Sequence, residues 1–412
     1  MMTDSCNSDT LISIHRALAK ISEQLAILQG EETINLQSAL GRILTQDCIA
    51  PFNLPAFPNS SMDGYAFNSA DKEKTDFNLI QVGTSWAGSP FSDQLLDGQC
   101  VRIFTGAVIP DGADSVIMQE HTTYHDKSIH FPKNTPVKQN IRYTGEDVKQ
   151  YDCLLAAPKQ LTAIDLGLLA SAGLYEIKVK RKIRIAFFST GDELRAIGTP
   201  LAAGQIYDSN RYSLNALLTH PCHSVTDLGV ITDDKERIRQ CLLSAAQSHD
   251  VIISTGGASV GDADYIHEVL VEIGQVNFWK LAMKPGKPVA FGRIQDCIFF
   301  GLPGNPMSVI ATYEHIVAPA LRQLIGLGNS VRLRFKATSK SPLRKQPGRL
   351  EFQRGILSQT ETGEFEVISS GKQGSNILSA SSRANCYIIL AAEQTQIDVG
   401  EQVIVEPFSL FL

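Results

Sequence analysis

Residues 183–327 alternate between apolar runs and helix-like segments, and this alternation restricts the possible folds more than any other feature of the sequence. The apolar runs predict strands over 183–188, 225–231, 250–254 and 297–300. Helices are predicted from a Ser209 cap to Leu218, over 234–248 and over 307–324. Repeated strand–helix units with apolar strands favour a mostly parallel sheet with helices on both faces. Ligands of such sheets bind beyond the carboxyl ends of the strands.

Three of the predicted strands lead into glycine-bearing turns: Thr190-Gly191-Asp192, Thr255-Gly256-Gly257 and Pro303-Gly304-Asn305. Turns of this kind expose backbone N–H groups at the start of a helix, which suits a bound anion. Each turn alone is equally well explained by packing. Three turns in one sheet favour a phosphate-bearing ligand.

Carboxylates are concentrated at or just beyond the ends of the same strands. They are Asp192, Glu193, Asp208, Asp233, Asp234, Asp262 and Asp264. Such a group would repel an anion unless a cation lies between them, and Mg²⁺ bridging carboxylate and phosphate oxygens resolves the conflict. Helix capping is the alternative role for part of the set. The absence of His and Cys from the group disfavours zinc, and no P-loop or dinucleotide-binding motif occurs in this segment.

Positively charged side chains are predicted close to the same site. Lys280, Lys284 and Lys287 lie in the segment 279–288, where two prolines and a glycine prevent a regular helix. Lysines held by a stiff loop supply fixed positive charge to an oxyanion. Arg142 adds the possibility of bidentate contact with a phosphate or another oxyanion.

The segments that flank the alternating region have different patterns. Apolar residues spaced by three and four predict an N-terminal helix that Gly30 ends, with its stripe serving the core or a subunit contact. The stripe comprises Leu11, Ile14, Leu18, Ile21, Leu25 and Leu28. Short β-prone runs over 51–147, including 77–82, 100–104 and 115–118, predict a β-rich insert.

Two further elements complete the predicted architecture. Thr162 can cap a helix whose face is Ile164, Leu168 and Leu169 and which Gly173 closes. Alternation over 331–337 predicts a half-buried strand, and runs at 365–368, 387–390 and 403–406 extend a small all-β C-terminal domain. We expect the basic residues of that domain to form a solvated face.

Composition excludes several classes of protein. A net charge of -6 argues against a nucleic-acid-coating protein. Eight scattered cysteines without a C-x-x-C pair indicate reduced thiols in a cytoplasmic protein. No signal peptide and no membrane-spanning run are evident. His220, Cys222 and His223 lie close together in sequence, either as metal ligands or, with spacing that matches no standard zinc site, as a helix-to-strand turn.

Seven blocks carry a family resemblance in the order in which they occur. They are N-S-S-M-D-G-Y-A at 59–66, R-I-F-T-G-A at 102–107, N-I-R-Y-T-G-E-D at 140–147, S-T-G-D-E-L at 189–194, D-S-N at 208–210, K-P-G-K-P at 284–288 and G-L-P-G-N-P at 301–306. In these blocks the chain resembles the MoeA family of molybdopterin molybdenumtransferases, the gephyrin E domain and the plant Cnx E domain.

The resemblance implies four domains and an elongated homodimer. The implied domains are a discontinuous helical linker domain (1–50 plus 148–180), the β-rich insert (51–147), an α/β domain like the adenylylating protein MogA (181–327) and a C-terminal β-barrel (328–412). The cleft would lie between the α/β domain of one subunit and the β-rich insert of the other.

The resemblance also implies an activity: insertion of molybdate into adenylylated molybdopterin with Mg²⁺ and release of AMP. The implied catalytic residues are Asp63, Glu193, Asp233 and Asp264, and Glu193 and Asp264 would bind the metal. The implied substrate-binding residues are Thr105, Arg142, Asp147, Thr190, Gly191, Asp192, Ser209, Gly256, Gly257, Ser259, Lys280, Lys284, Lys287, Pro303, Gly304 and Asn305. Whether Asp233 or Asp234 is the functional residue stays open, as does the choice between molybdate and tungstate.

Two alternatives remain on sequence grounds. The first is the preceding reaction, adenylylation of molybdopterin, which a shorter MogA-like protein performs. The second is a non-catalytic molybdopterin-binding scaffold or carrier. The MogA-type adenylyltransferase and molybdopterin synthase would be neighbours in the pathway, and neither nucleic acid nor a membrane is an expected partner.

Overall fold

A computed structural model describes residues 11–74, 77–126, 128–256, 265–328 and 332–408. The described residues divide into two compact units. The first unit draws on Met1–Glu32, Gly41–Ile43 and Lys180–Leu412, and the second on Thr33–Leu40 and Leu44–Val179. Within the described ranges, every helix is too short or too polar to cross a membrane.

The helices occur in both units. The α-helices are α1 (Ile14–Gln24), α2 (Asp71–Lys74), α3 (Ala163–Ser171), α4 (Ser209–Leu218), α5 (Lys235–Ser248), α6 (Tyr265–Ile273), α7 (Pro306–Thr312), α8 (Ala318–Leu324) and α9 (Leu378–Ser381). Short 3₁₀ turns cover Leu36–Ser38 and Gln119–His121, and a π-helical turn over Tyr313–Val317 joins α7 to α8.

The second unit is rich in β-structure, as predicted for 51–147. Its strands are β1 (Glu31–Asn35), β2 (Ile43–Leu44), β3 (Cys48–Ile49), β4 (Asn59–Ser60), β5 (Gly64–Phe67), β6 (Asn78–Ser85), β7 (Gln99–Ile103), β8 (Ser115–Met118), β9 (Thr123–His125), β10 (Ser128–His130), β11 (Ile141–Arg142), β12 (Cys153–Leu155), β13 (Lys159–Gln160) and β14 (Glu176–Lys180). The largest sheet has the order β8-β5-β7-β6-β10-β9 and encloses a core that includes Phe67, Phe77 and Phe131.

The α/β part of the first unit is the predicted mostly parallel sheet. Its strands and adjoining short strands are β15 (Ile183–Thr190), β16 (Leu194–Arg195), β17 (Ile206–Tyr207), β18 (His223–Ile231), β19 (Val251–Thr255), β20 (Gln275–Lys280), β21 (Met283–Lys284), β22 (Pro288–Ile294) and β23 (Cys297–Leu302). The sheet order is β18-β15-β19-β23-β22-β20, in which the first four strands are mutually parallel and β22 is antiparallel to both neighbours.

Helices cover both faces of this sheet because its central strands are apolar on both sides. Ile185 and Phe187 of β15 belong to one core, which also contains residues of α1, α4 and α8. Ala186 and Phe188 of the same strand belong to the opposite core, which contains residues of α5 and α6. Side chains of successive strand residues point to opposite faces, so one apolar strand supplies both cores.

The C-terminal strands close into a barrel. They are β24 (Phe335–Ser339), β25 (Leu343–Arg344), β26 (Leu350–Gln359), β27 (Phe365–Ser369), β28 (Cys386–Leu390), β29 (Gln396–Ile397) and β30 (Gln402–Pro407). Pairing runs β26-β27-β24-β30-β28 and returns from β28 to β26, so these five strands form a closed ring. The predicted C-terminal β-barrel is confirmed.

Several predicted boundaries were wrong. Helix α1 ends at Gln24 and not near Gly30, with the Leu25 N–H bonded to the Ser22 carbonyl. Asp208, and not Ser209, caps α4 by accepting from the Arg211 N–H, because a carboxylate at that position reaches the free N–H groups of the first turn. Ile164 is exposed and lies off the buried face of α3, although Thr162 caps that helix as predicted.

The C-terminal basic residues also differ from prediction. The strand expected over 331–337 begins at Phe335, and Val331 lies outside the described residues. Arg332 and Arg334 each lie 2.7 Å from the carboxylate of Glu406, which is buried, so this pair does not form a solvated face. An unpaired buried carboxylate would be costly, and the two guanidinium groups compensate its charge.

Asp250 joins the segment before β15 to the start of β19. Its carboxylate accepts hydrogen bonds from the side chains of Arg181 and Arg184 at 2.7–3.0 Å and from the Arg184 N–H at 2.8 Å. Burial opposes ionisation, but these hydrogen bonds outweigh it and lower the pKa of Asp250 to about 2. The ionised form therefore stabilises the folded chain.

We predict that Asp250→Asn lowers the free energy of unfolding by about 2 kcal/mol at neutral pH. A carboxyl group whose pKa is lower in the folded chain stabilises that chain at pH values above the ordinary pKa of the group, here 3.8. This stabilisation is lost as the pH falls towards the folded-state pKa of about 2. Urea unfolding of wild type and variant at several pH values measures the difference. The exposed Asp296 supplies the control, Asp296→Asn. A wild-type advantage that persists below pH 2 would contradict the assignment.

Candidate functional site

Three carboxylates gather at the carboxyl edge of the parallel sheet. Asp192 and Glu193 follow β15, and Asp233 follows the neighbouring β18. The Asp233 N–H donates to the Asp192 carboxylate at 3.3 Å, which holds the two turns together. Burial, together with the charges of Asp192 and Glu193, raises the pKa of Asp233. The edge is therefore a crowded anionic group to which a cation would be attracted.

Asp233 and Asp234, between which the sequence left the choice open, make different contacts. The Asp234 carboxylate caps α5 by accepting from the Arg237 N–H at 2.8 Å. Asp233 caps no helix and faces the other carboxylates. The geometry favours Asp233 as the functional member.

Two glycines allow the turns at this edge to approach closely. Gly191 has a φ of +144°, and a Cβ there would lie 2.5 Å from Oε2 of Glu193. Gly256 has a φ of +88°, and a Cβ there would lie 2.9 Å from Oγ1 of Thr190. A larger residue at Gly191 would displace the Glu193 carboxylate, and one at Gly256 would also press on the Thr190 carbonyl oxygen, 3.0 Å away, in the neighbouring turn.

The turn after β23 is tied to the start of α4. The Gly256 N–H donates to the Leu302 carbonyl at 3.1 Å, and the Asn210 side chain donates to the Gly304 carbonyl at 2.7 Å. Ser209, the first residue of α4, therefore lies beside the Pro303-Gly304-Asn305 turn. The described parts of the three predicted glycine-bearing turns thus occupy one edge of the sheet.

A basic cleft of about 970 Å³ opens beside the turn after β23. Lys284, Lys287, Pro303, Gly304 and Asn305 line it from the α/β side. Two of the three lysines singled out in the sequence therefore line a cavity. Lys280 lies at the end of β20, paired with Pro288, and does not line this cleft.

The C-terminal barrel forms the other wall of this cleft, which the sequence had not indicated. Arg344, Arg349, Glu351, Gln353, Ser369, Gln373 and Ser375 line that wall. Strand β21 pairs with the start of β26, which brings Lys284 within 3.3 Å of the buried Glu351 carboxylate. Arg344 and Arg349 were the available signal. Arg344 is exposed, as expected for a solvated face, and Arg349 is half-buried, and both line this cleft.

Asp63 and Thr105 form a second polar group, in the second unit. The Asp63 carboxylate accepts from both the N–H and the hydroxyl of Thr105, each at 2.8 Å. The Thr105 N–H, then its hydroxyl, lower the pKa of Asp63. Both residues are exposed, so the carboxylate is ionised and available to a ligand.

Arg142 lies near this pair and Asp147 on a separate segment. Arg142 is exposed on β11 and pairs with Asn59, while the Ser61 N–H bonds to the Asn140 carbonyl. The loops that carry Arg142 and Asp63 are therefore adjacent. The Asp147 N–H instead bonds to the Leu54 carbonyl.

Three predicted site residues, Gly257, Ser259 and Asp264, lie outside the described residues, as does Asp262. Within the described ranges, no group of three or more His, Cys, Asp or Glu residues has the arrangement of a metal site. The oxygen donors of Asp192, Glu193 and Asp233 nevertheless have the chemistry that Mg²⁺ prefers.

The His220–His223 segment is a turn between α4 and β18. The Cys222 N–H donates to Nδ1 of His220 at 3.1 Å, and Nδ1 of His223 lies 2.8 Å from the Leu218 carbonyl oxygen. Burial lowers the pKa of His223 to about 4, so its ring is neutral. These contacts support the structural alternative over metal binding.

Comparison with known proteins decides the family. Three family models match in order: the MoeA N-terminal region, domains I and II, over 12–173; a probable molybdopterin binding domain over 186–323; and the MoeA C-terminal region, domain IV, over 336–408. The molybdopterin molybdenumtransferase of Haemophilus influenzae is 43% identical over 98% of this chain and 100% of its own length. The chain belongs to the MoeA family.

Other members of the MoeA family agree in sequence and fold. The molybdopterin molybdenumtransferase of a Nostoc species is 32% identical over 96% of this chain and 92% of its own length. The crystal structure of the molybdopterin biosynthesis MoeA protein from Pyrococcus horikoshii OT3 matches with a TM-score of 0.81 and 27% identity, covering 97% of this chain and 100% of that one. The resemblance found in the seven blocks is thereby confirmed.

We predict that Thr105→Val raises the pKa of Asp63 while leaving it below its ordinary value. The variant loses the hydroxyl donor but keeps the backbone N–H, and hydrogen bonds to a carboxylate favour its charged form. Carbon-13 NMR titration of the Asp63 carboxyl group measures the change. An unchanged or lower pKa of Asp63 in the variant would contradict the geometry.

Proposed function

We propose that this MoeA-family chain is a molybdopterin molybdenumtransferase, which inserts molybdate into adenylylated molybdopterin and releases AMP. The observation that carries the proposal is full-length similarity to relatives of that name. The carboxylate edge and the basic cleft support it, because a reaction between two anions requires both cationic contacts and a site for a cation.

The basic cleft is the proposed site for the oxyanion. Four cationic residues, Lys284, Lys287, Arg344 and Arg349, line it together with a single carboxylate, Glu351. Fixed positive charges in a shaped cavity stabilise an anion without reorganisation at the moment of reaction. The two arginines can each contact two oxygens of one tetrahedral anion, whereas the lysines act as point charges. Molybdate and tungstate fit this chemistry equally.

The carboxylate edge is the proposed site for Mg²⁺ and the pyrophosphate of the substrate. Glu193 and Asp233 have oxygen donors within one electrostatic group, and Asp264 is the further ligand that the family resemblance implies. When bound, Mg²⁺ neutralises charge on carboxylate and phosphate oxygens. The Gly191 and Gly256 turns then bring backbone close to the substrate phosphates.

The residues of the second unit have a positioning role in the proposal. Asp63, held ionised by Thr105, and Arg142 on the adjacent loop present opposite charges on exposed loops. Arg142 is suited to a phosphate or molybdate oxygen, and Asp63 to a hydroxyl or amino group of the substrate. Asp147 is proposed as a more distant contact.

We propose a cytoplasmic homodimer of four-domain subunits with the boundaries predicted from sequence. The matched family ranges support the division, and the family resemblance supports the dimer. The seven described cysteines are all free thiols, which agrees with a reducing compartment. The MogA-type adenylyltransferase would supply the substrate, downstream of molybdopterin synthase.

The central prediction concerns molybdate-dependent release of AMP. Purified chain, adenylylated molybdopterin, Mg²⁺ and molybdate should yield AMP, and Glu193→Gln should lower the rate about 100-fold, the scale of losing one fixed electrostatic contact. Glu236→Gln, an exposed carboxylate change in the first turn of α5, is the matched control and should retain the wild-type rate.

Each competing function has its own outcome in this assay. Tight binding of the adenylylated pterin without AMP release would indicate a carrier or scaffold. Formation of adenylylated molybdopterin from ATP and molybdopterin, without molybdate insertion, would indicate the preceding reaction.

A second prediction tests whether each site draws on two subunits. In the proposal, the Glu193→Gln chain and the Asp63→Asn chain each have little activity alone. Each substitution changes a residue in a different half of the site that two subunits share. Unfolding and refolding them together should restore about a quarter of the wild-type activity, because half the dimers are mixed and each has one intact site. Sedimentation analysis confirms that mixed dimers form. Mixed dimers without activity would contradict a site shared between subunits.

A further inference from the structure

A layered stack of rings and a guanidinium group lies beside the Asp63–Thr105 pair. The indole of Trp86 stacks on the ring of Phe104, with centroids 4.1 Å apart and planes within 10°. The Arg102 guanidinium lies 4.5 Å from the Phe104 centroid and 5.4 Å from that of Tyr65. We refer to Trp86, Phe104, Arg102 and Tyr65 as the aromatic ladder.

Hydrogen bonds fix the inner part of the ladder. Nη1 of Arg102 donates to the carbonyls of Gly64 at 2.7 Å and Ile103 at 3.1 Å, and Nη2 donates to the Gln119 side chain. A guanidinium held in its plane by such contacts presents a flat face to the aromatic rings.

The backbone around Trp86 is also fixed. Its N–H and carbonyl both pair with Ser89 at 3.0 Å across a tight turn, and the preceding residue, Ser85, accepts from the Phe104 N–H at 3.3 Å. The end of β6, which leads directly into Trp86, and the loop containing Phe104 are thus joined by a main-chain hydrogen bond. The indole is presented by a rigid support and not by a free loop.

The outer indole is exposed, which a purely structural role does not require. Trp86 retains 53% of its accessible surface, whereas the second tryptophan, Trp279, retains 7%. Phe104 contacts both Arg102 and Trp86. Thr105, the next residue, holds the Asp63 carboxylate. A flat apolar surface on the segment after β6 therefore adjoins, through Phe104, a fixed polar pair that includes the next residue, Thr105, the combination found in small-molecule sites.

We propose that Trp86 is a stacking platform for a fused heteroaromatic ring of the substrate. This inference rests on the proposed function, since adenylylated molybdopterin contains two such rings, the adenine and the pterin. Both have a π-face and edge nitrogen atoms, so stacking on the indole with a hydrogen bond to Asp63 suits either. Trp86 is a positioning residue in this scheme and takes no part in bond breaking.

The experiment compares Trp86→Ala, Trp86→Phe and the control Tyr124→Ala, which removes another exposed ring of the same sheet. Affinities of the full chain for AMP and for free pterin are measured separately by calorimetry. Loss of a stacking contact should weaken one of the two ligands about tenfold in Trp86→Ala. Trp86→Phe should remain within about threefold of wild type because it retains a ring to stack on.

Fluorescence and kinetics give independent readouts. The chain has two tryptophans, so the emission lost in Trp86→Phe isolates Trp86, and the bound ligand should quench that emission only. In the AMP-release assay, Trp86→Ala should raise KM about tenfold with a smaller change in kcat, and Trp86→Phe should restore KM. Circular dichroism establishes that the variants are folded.

The outcomes separate this inference from the proposed function. Weakened AMP binding assigns the adenine to the ladder, and weakened pterin binding assigns the pterin. Wild-type AMP release with no change of KM or of either affinity in Trp86→Ala overturns the platform and leaves the enzyme intact. Ligand binding that depends on Trp86 without AMP release retains the platform and overturns the enzyme.

Discussion

The parallel register of four strands is the constraint on which the site depends. Because β18, β15, β19 and β23 run in the same direction, the turns that follow them meet at one edge. Buried apolar residues on both faces of β15 fix that register, since a shift by one residue would exchange the two cores. Asp192, Asp233, Gly256 and Gly304, although far apart in sequence, are neighbours for this reason.

Because these turns meet at one edge, negative charge is concentrated there. Positive charge is found in the cleft beside the barrel. Burial, together with the charges of Asp192 and Glu193 after β15, raises the pKa of Asp233 after β18. The opposite charge is supplied by the K-P-G-K-P loop and by two arginines of the barrel. The pairing of β21 with β26 joins these elements, so the fold places a cation-attracting edge and an anion-attracting cleft on either side of the Pro303–Asn305 turn.

The sequence correctly predicted those parts of the fold that depend on a local pattern of residues. Apolar runs located the strands of the α/β sheet, and glycine-bearing turns located their carboxyl ends. It mislocated features that depend on tertiary contacts: α1 ends early, and Ile164 faces outwards. Strands β20 and β22, which flank the lysine loop, were not predicted at all.

The residues of the candidate site also divide into those that the sequence could predict and those that it could not. Asp63, Thr105, Lys284 and the strand-end residues were identifiable because they lie in recognisable blocks. Arg344 and Arg349 were not, because their proximity to Lys284 arises from the pairing of Met283 with Leu350, two residues that are far apart in sequence. Trp86 was missed for a related reason, since only folding stacks it on Phe104. No periodicity in a single sequence contains such long-range contacts.

The location of the oxyanion tests the account most directly. Crystals of the full chain soaked in molybdate and measured at the molybdenum absorption edge would reveal the metal by its anomalous scattering. The account predicts an anomalous peak in the cleft between Lys284 and Arg349, reduced in a Lys284→Ala, Arg349→Ala double variant. Molybdenum bound only outside that cleft, or bound there equally in the double variant, would contradict it.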